Sequence, residues 1–174
     1  MNVLITYSSK TGNTKKLAEG IFEGLELEKK TILPMKEVTS MDAYDTVLVG
    51  YWVDKGGPNE EAKKFLETIE GKKVGLFATL GFWPDSEHAW ESLRNGEKIV
   101  KEKNEMLARF ICQGALDERI IAMFEKLPAD NPHAVTPEKR RRYAIAKNHP
   151  SKADILSAAE LFNERIAVNV HEEN

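Results

Sequence analysis

The stretch Tyr7–Thr14, YSSKTGNT, follows the apolar run Val3, Leu4, Ile5 and precedes a segment in which Leu17, Ala18, Ile21, Phe22 and Leu25 share one helical face. It therefore reads as the turn between a strand and a helix. The free N–H groups at the start of that helix, and the positive end of its dipole, converge on the turn and favour an anion there. Gly12 lets the backbone approach a ligand closely. The hydroxyls of Ser8, Ser9, Thr11 and Thr14, the Asn13 amide and the Lys10 ammonium supply donors to such a ligand. Phosphate cradling, a strained nucleophile and plain helix capping by Thr11 or Asn13 all use turns of this composition.

The spacing excludes the commonest alternatives. A Walker loop needs a glycine five positions before its second glycine and a lysine after it, where this chain has Tyr7 and Asn13. The glycine triplet of dinucleotide sites is absent. Neither Ser8 nor Ser9 has a glycine two residues to each side, as a serine nucleophile elbow requires.

Outward from the motif, short apolar runs at Asn2–Tyr7, Lys30–Leu33, Thr46–Tyr51, Lys73–Ala78 and Ala108–Cys112 alternate with segments of helical period. That alternation predicts a parallel sheet covered on both faces. Ala62, Phe65, Leu66 and Ile69 form one helical stripe, and Ala89, Trp90 and Leu93 another, capped by Asp85 or Ser86. Leu116, Ile120, Ile121, Phe124 and Leu127 predict a further covering helix after the last strand. The tail differs. Pro128, Pro132 and Pro137 break the segment before the basic run Lys139–Arg142, Thr136 with Pro137 reads as a helix start, and Ser151 with Asp154 reads as a capping box before Ile155, Ala159, Phe162 and Ile166. Arg140 to Arg142 read as a solvated face, with a docking surface as the alternative.

The 174 residues fit one domain, expected over 1–174 as a core at 1–127 with a helical tail, 128–174, packed on it. A net charge of −3 points neither to a nucleic-acid partner nor to a strongly acidic surface. The single cysteine, Cys112, excludes an internal disulfide and reads as a small buried apolar residue, and the four histidines lack metal spacing. With no apolar run near the ~20 residues that span a bilayer, no membrane association and a cytoplasmic location are expected.

The stretch ITYSSKTGNTKKLAEGI resembles the phosphate-loop signature of the flavodoxin family at Ile5, Tyr7, Ser9, Gly12, Thr14, Ala18 and Ile21, with Thr6 as the mismatch, where the family prefers an apolar residue. The resemblance in strand and helix order runs to about Leu127. It implies an α/β flavodoxin-like fold, a doubly wound five-stranded parallel sheet of order 2-1-3-4-5 with a helical C-terminal extension, binding FMN at the switch point between the first and third strands. Response regulators share the strand order but need acidic residues where this chain carries hydroxyls.

The resemblance further implies that the loops after the third and fourth strands hold the flavin ring. In GYWVDKGGP these are Tyr51, Trp52, Val53 and Asp54, with Trp52 stacking on the ring. The family commonly has glycine at the place of Val53, and Gly56 and Gly57 are candidates to supply that backbone freedom. In ATLGFWPDSEHAW the ring-binding residues are Thr79, Leu80, Gly81 and Phe82, with Trp83 as a second candidate for covering the ring. The implied function is electron transfer, as a carrier or redox accessory supplying a partner reductase. A NAD(P)H-dependent flavin or quinone reductase and a cofactor-free binding module are the alternatives. The ring loops and the proline-broken tail also resemble flavodoxin-like accessory proteins associated with bacterial bilirubin reduction. Lys10, Lys15 and Lys16 beside the phosphate loop, and Lys55 in the ring loop, depart from the strongly acidic flavin surround of ordinary flavodoxins.

Overall fold

Neighbouring residues of the central strands are apolar in succession because each points to the opposite face of a sheet buried on both sides. In the computed structural model, which describes residues 1–171, β1 (Val3–Tyr7) sends Val3 and Ile5 to one face and Leu4 to the other, all fully buried. The final positions of the expected domain, 172–174, lie outside the described residues. The other strands are β2 (Lys30–Pro34), β3 (Thr46–Asp54), β4 (Gly57–Pro58), β5 (Lys73–Leu80) and β6 (Glu105–Gln113). Their order is β2-β1-β3-β5-β6, with β4 paired only to β3. Setting that two-residue arm aside, this is the expected 2-1-3-4-5 parallel sheet. Four strands are longer than the sequence predicts: β2 continues to Pro34, β3 to Asp54 and β5 to Leu80, and the last strand runs from Glu105 to Gln113 instead of Ala108 to Cys112.

On one face lie α2 (Glu60–Glu67) and α3 (Glu87–Val100), packed through Ala62, Leu66, Leu93 and Val100 against Leu4, Val49 and Leu76. Ser86 caps α3, accepting from the Ala89 N–H. On the other face α1 (Asn13–Gly24) packs through Leu17, Ala18 and Ile21. Beside it lies α6 (Lys152–His171), not the helix expected from Leu116 to Leu127.

That expectation is corrected as follows. The α4 helix (Glu118–Phe124) has seven residues and buries none of them, whereas the 20-residue α6 inserts Ala158, Phe162 and Ile166 into the core. A longer helix offers more apolar face per end left to cap, so α6 takes the sheet. Phe162 meets Phe77 edge-on at 6.4 Å between centroids. The two helices approach closely because α1 presents Gly20 and Gly24: a Cβ on Gly24 would lie 2.6 Å from the Ala159 Cβ. Ser151 and Asp154 form the expected reciprocal cap, at 2.6 Å and 3.2 Å.

The α5 helix (Pro137–Ala146) starts at Pro137 under a Thr136 cap. Its basic run is not one solvated face: Arg140 pairs with Glu125 at 2.6 Å, whereas Arg142 is only 9% exposed, its guanidinium 4.5 Å from the centre of the Phe82 ring. Cys112 is buried and burial pushes its thiol pKa up. Among the described residues, no helix is long and apolar enough to cross a membrane and no cluster of His, Cys, Asp and Glu could hold a metal ion.

Candidate functional site

The strand order reverses at β1, whose partners are β2 on one side and β3 on the other, so the connections leaving β1 and β3 diverge and open a crevice at the carboxyl ends of the strands. A cavity of about 210 Å³ occupies that crevice. Ser9, Lys10, Thr11, Asn13 and Thr14 line one part of it, and Trp52, Val53, Thr79, Leu80 and Gly81 another.

The loop before α1 is built to present donors. Gly12 caps the helix at φ 95°, a left-handed conformation that glycine adopts without strain, and neither Thr11 nor Asn13 caps it. The first backbone bond of the helix is Lys16 N–H to Gly12 C=O, at 2.9 Å. The N–H groups of Asn13, Thr14 and Lys15 precede it and have no side-chain cap. Proton bookkeeping separates the hydroxyls. Ser9 Oγ accepts from the Gly12 N–H at 3.1 Å and Thr11 Oγ1 accepts from the Asn13 amide at 3.3 Å, so each keeps its own proton to donate. Thr14 and Thr79 share one proton across 2.9 Å in a buried contact, which leaves one for an outside acceptor. Lys10 extends its ammonium over the Trp52 ring, 5.4 Å from the centroid.

Several expected residues lie elsewhere. Ser8 is buried, its hydroxyl held by Glu61 and Asn59, and it does not line the cavity. Tyr51 belongs to the core, with its hydroxyl 3.3 Å from the Ser92 carbonyl oxygen, and burial raises its pKa. Phe82 is outside the cavity, 37% exposed beneath Arg142. Trp83 is likewise outside, and its carbonyl oxygen accepts from Ser86. Asp54 pairs with Gly57 and Val53 with Pro58 in a hairpin turned by Lys55 and Gly56, at φ 49° and 79°. Two successive positive φ values are the signature of a tight hairpin turn. The freedom of Gly56 is therefore used in that turn, and its carbonyl is held by Asn95 at 2.9 Å, while Gly57 lies in a paired strand. Of the lysines, only Lys10 lines the cavity: Lys15 pairs with Glu19 at 3.7 Å, Lys16 donates to the Pro150 carbonyl at 2.6 Å, and Lys55 is in the hairpin turn.

The far wall went unread in the sequence. Gly114, Ala115, Leu116, Asp117 and Ile120 complete the lining. Leu116 and Ile120 carry the helical period of a covering helix, but periodicity does not tell a sheet from a ligand as the surface covered. The signal that points to them is position: they follow directly on the carboxyl end of a strand. Gly81 makes room for this wall, since a Cβ there would fall 2.4 Å from Leu116 Cδ1. Hydrogen bonds from Arg119 hold the Asp117 carboxyl down at about 2, so it stays charged beside the cavity.

The arrangement suits an amphiphilic anion: hydroxyl, ammonium and helix N–H donors line the same cavity as Trp52, Leu80, Leu116 and Ile120, which offer flat or apolar surface. A family profile described as a flavodoxin domain matches residues 4–163. The flavodoxin-like domain-containing protein BilS of Clostridioides difficile strain CD3 is 35% identical over 166 residues, which span 91% of this chain and 93% of that protein. Among solved structures, oxidised Flavodoxin 2 from Bacillus cereus superposes with a TM-score of 0.54 at 22% identity, covering 84% of this chain and 95% of its own. A Lactobacillus acidophilus NCFM flavoprotein in complex with FMN superposes with a TM-score of 0.51 at 16% identity, covering 72% and 99%. The chain belongs to the flavodoxin domain family.

Proposed function

We propose that this chain binds FMN in the crevice at the carboxyl ends of β1, β3 and β5 and passes electrons to a partner protein. The observation that carries the reading is the union, in one cavity, of an anion-donor set and an apolar platform. Ser9, Thr11, Lys10 and the first-turn N–H groups of α1 hold the phosphate, a task that suits charge-assisted bonds. Trp52, Leu80, Leu116 and Ile120 take the ring. FMN supplies the redox chemistry when bound, and the protein's part is to orient it and to exclude water from one face. The FMN complex of the L. acidophilus flavoprotein, which shares the fold, is consistent with this assignment. The match to BilS, a flavodoxin-like domain-containing protein, supports the family on which this reading rests; delivery of the electrons to a separate reductase is part of the proposal.

A visible spectrum of the purified protein, before and after FMN is added, tests the reading. Flavin absorption that stays with the protein through gel filtration and is released on denaturation is the expected result, and a protein that takes up no FMN would overturn it. Bleaching by NAD(P)H alone would instead identify a self-sufficient reductase.

A further inference from the structure

Ser8 of the motif has its hydroxyl proton already spent inside the protein. It is 4% exposed, its Oγ lies in a close hydrogen bond with the Glu61 carboxylate, and Asn59 Nδ2 donates to the same oxygen at 2.8 Å. A carboxylate only accepts, so the Ser8 proton goes to Glu61 and none is left for an outside anion.

Asn59 shows the other half of the arrangement. It stands at the N-cap of α2, where an asparagine side chain ordinarily accepts from the helix, yet it makes no capping bond. Its amide turns to Ser8 instead, leaving Oδ1 buried without a partner. That loss of a cap and burial of an acceptor oppose the arrangement, so the contact to Ser8 must offset them. The backbone N–H of Asn59 closes the base of the hairpin on the Trp52 carbonyl oxygen at 3.2 Å. Ser8 in turn is anchored to β3 through its own N–H, which donates to Gly50 at 2.9 Å. On this side-chain path the Ser8 hydroxyl and the Asn59 side chain join the donor loop to the base of the Trp52 hairpin.

From this geometry we infer that Ser8 is a positioning residue: it ties the anion-binding loop to the base of the Trp52 hairpin and does not itself contact phosphate. Only the ligand half of the test rests on the flavin reading.

Hydrogen exchange on the ligand-free protein reads the tie directly. Ser8→Ala is expected to speed exchange of the Asn59 amide by about tenfold while the β1–β3 ladder is unchanged, the scale of one lost charge-assisted bond. Unchanged exchange at Asn59 overturns the proposal. Titration with FMN and with riboflavin reads the coupling. Both dissociation constants are expected to rise by the same factor, about tenfold, so that their ratio stays fixed. A rise confined to FMN would place Ser8 on the phosphate and overturn the inference. Should the wild-type chain bind neither flavin, the proposed function fails while the exchange result still decides the tie. Glu61→Ala removes an exposed side chain and keeps the test open if Ser8→Ala does not fold: the same pattern is expected at about threefold, and no change at Asn59 overturns the proposal.

Discussion

The side-chain amide of Asn13 donates to the carbonyl oxygen of Ala115 across 2.8 Å, joining the first turn of α1 to a loop 102 residues further along the chain. Leu116 and Ile120 follow that loop, so the bond fixes the apolar wall of the cavity relative to its donor end. Asn13→Ala is expected to weaken FMN binding by about 1–2 kcal/mol through loss of this bond. Gly114→Ala should act in the same direction, because its Cβ would lie 2.8 Å from Asn13 Nδ2. Fluorescence titration with FMN measures both, and undiminished affinity in the two variants would show that the wall stands without the tie.

Lys10 and Trp52 should separate by ligand. The Lys10 ammonium rests over the Trp52 face, which a stacking ring must take over. Trp52→Ala removes stacking worth about 0.5–1.5 kcal/mol beyond area burial, for FMN and riboflavin alike. Lys10→Met removes a charge that favours phosphate, so its cost of about 1–2 kcal/mol should fall on FMN alone. Matched titrations with the two flavins distinguish these outcomes.

Thr6, the residue that departs from the family signature, is fully buried and its Oγ1 has no hydrogen-bond partner among the described residues. Burying an unsatisfied hydroxyl costs about 1–3 kcal/mol. Thr6→Val keeps the shape and removes that cost, so the variant should be more stable by about 1 kcal/mol in urea unfolding. A lower midpoint would mean that the hydroxyl has a partner in solution.

Phe162 tests the place of the C-terminal helix. It is fully buried against Phe77, Leu48 and Gly75, and a Cβ on Gly75 would sit 2.6 Å from its ring. Phe162→Ala is expected to cost about 3–5 kcal/mol, the range for emptying an aromatic core site. A loss below about 1 kcal/mol, measured by urea denaturation, would mean that α6 is only loosely docked.

Asp154 should make stability depend on pH. Burial pushes its carboxyl pKa up, but hydrogen bonds from the Ser151 N–H and from His149 Nδ1, each 2.6 Å, favour the charged form and leave the pKa below its ordinary 3.8. A lowered folded-state pKa contributes stability above the unfolded value, and that contribution disappears as pH falls through the folded one. Unfolding midpoints should therefore drop below about pH 4 in the wild type. In Asp154→Asn that part of the drop should be shallower, with a loss of about 1 kcal/mol at pH 7 from the weakened cap. Parallel acid limbs in the two proteins would count against the assignment.

Much of this protein is written locally in its sequence. The run Val3–Ile5, the positive-φ position at Gly12 and the helical stripe from Leu17 to Leu25 define the first βα unit through side-chain period and turn chemistry, which depend on neighbours a few residues apart. The sheet order follows from the same alternation joined to the resemblance carried by residues 5–21. The caps at Thr136 and Ser151 were legible for the same reason, and that of α3 down to Asp85 or Ser86, since each acts on N–H groups within its own turn.

What the tertiary structure alone decided is the use to which each side chain is put. A hydroxyl in the motif has one proton, and only the folded chain shows that Ser8 gives its proton to Glu61 while Ser9 and Thr11 keep theirs. The same holds for apolar residues. Leu116 and Phe162 both carry a helical period in the sequence, but one precedes a short helix and lines a cavity while the other lies in the long α6 and fills the core, because the longer helix can cover more of the sheet.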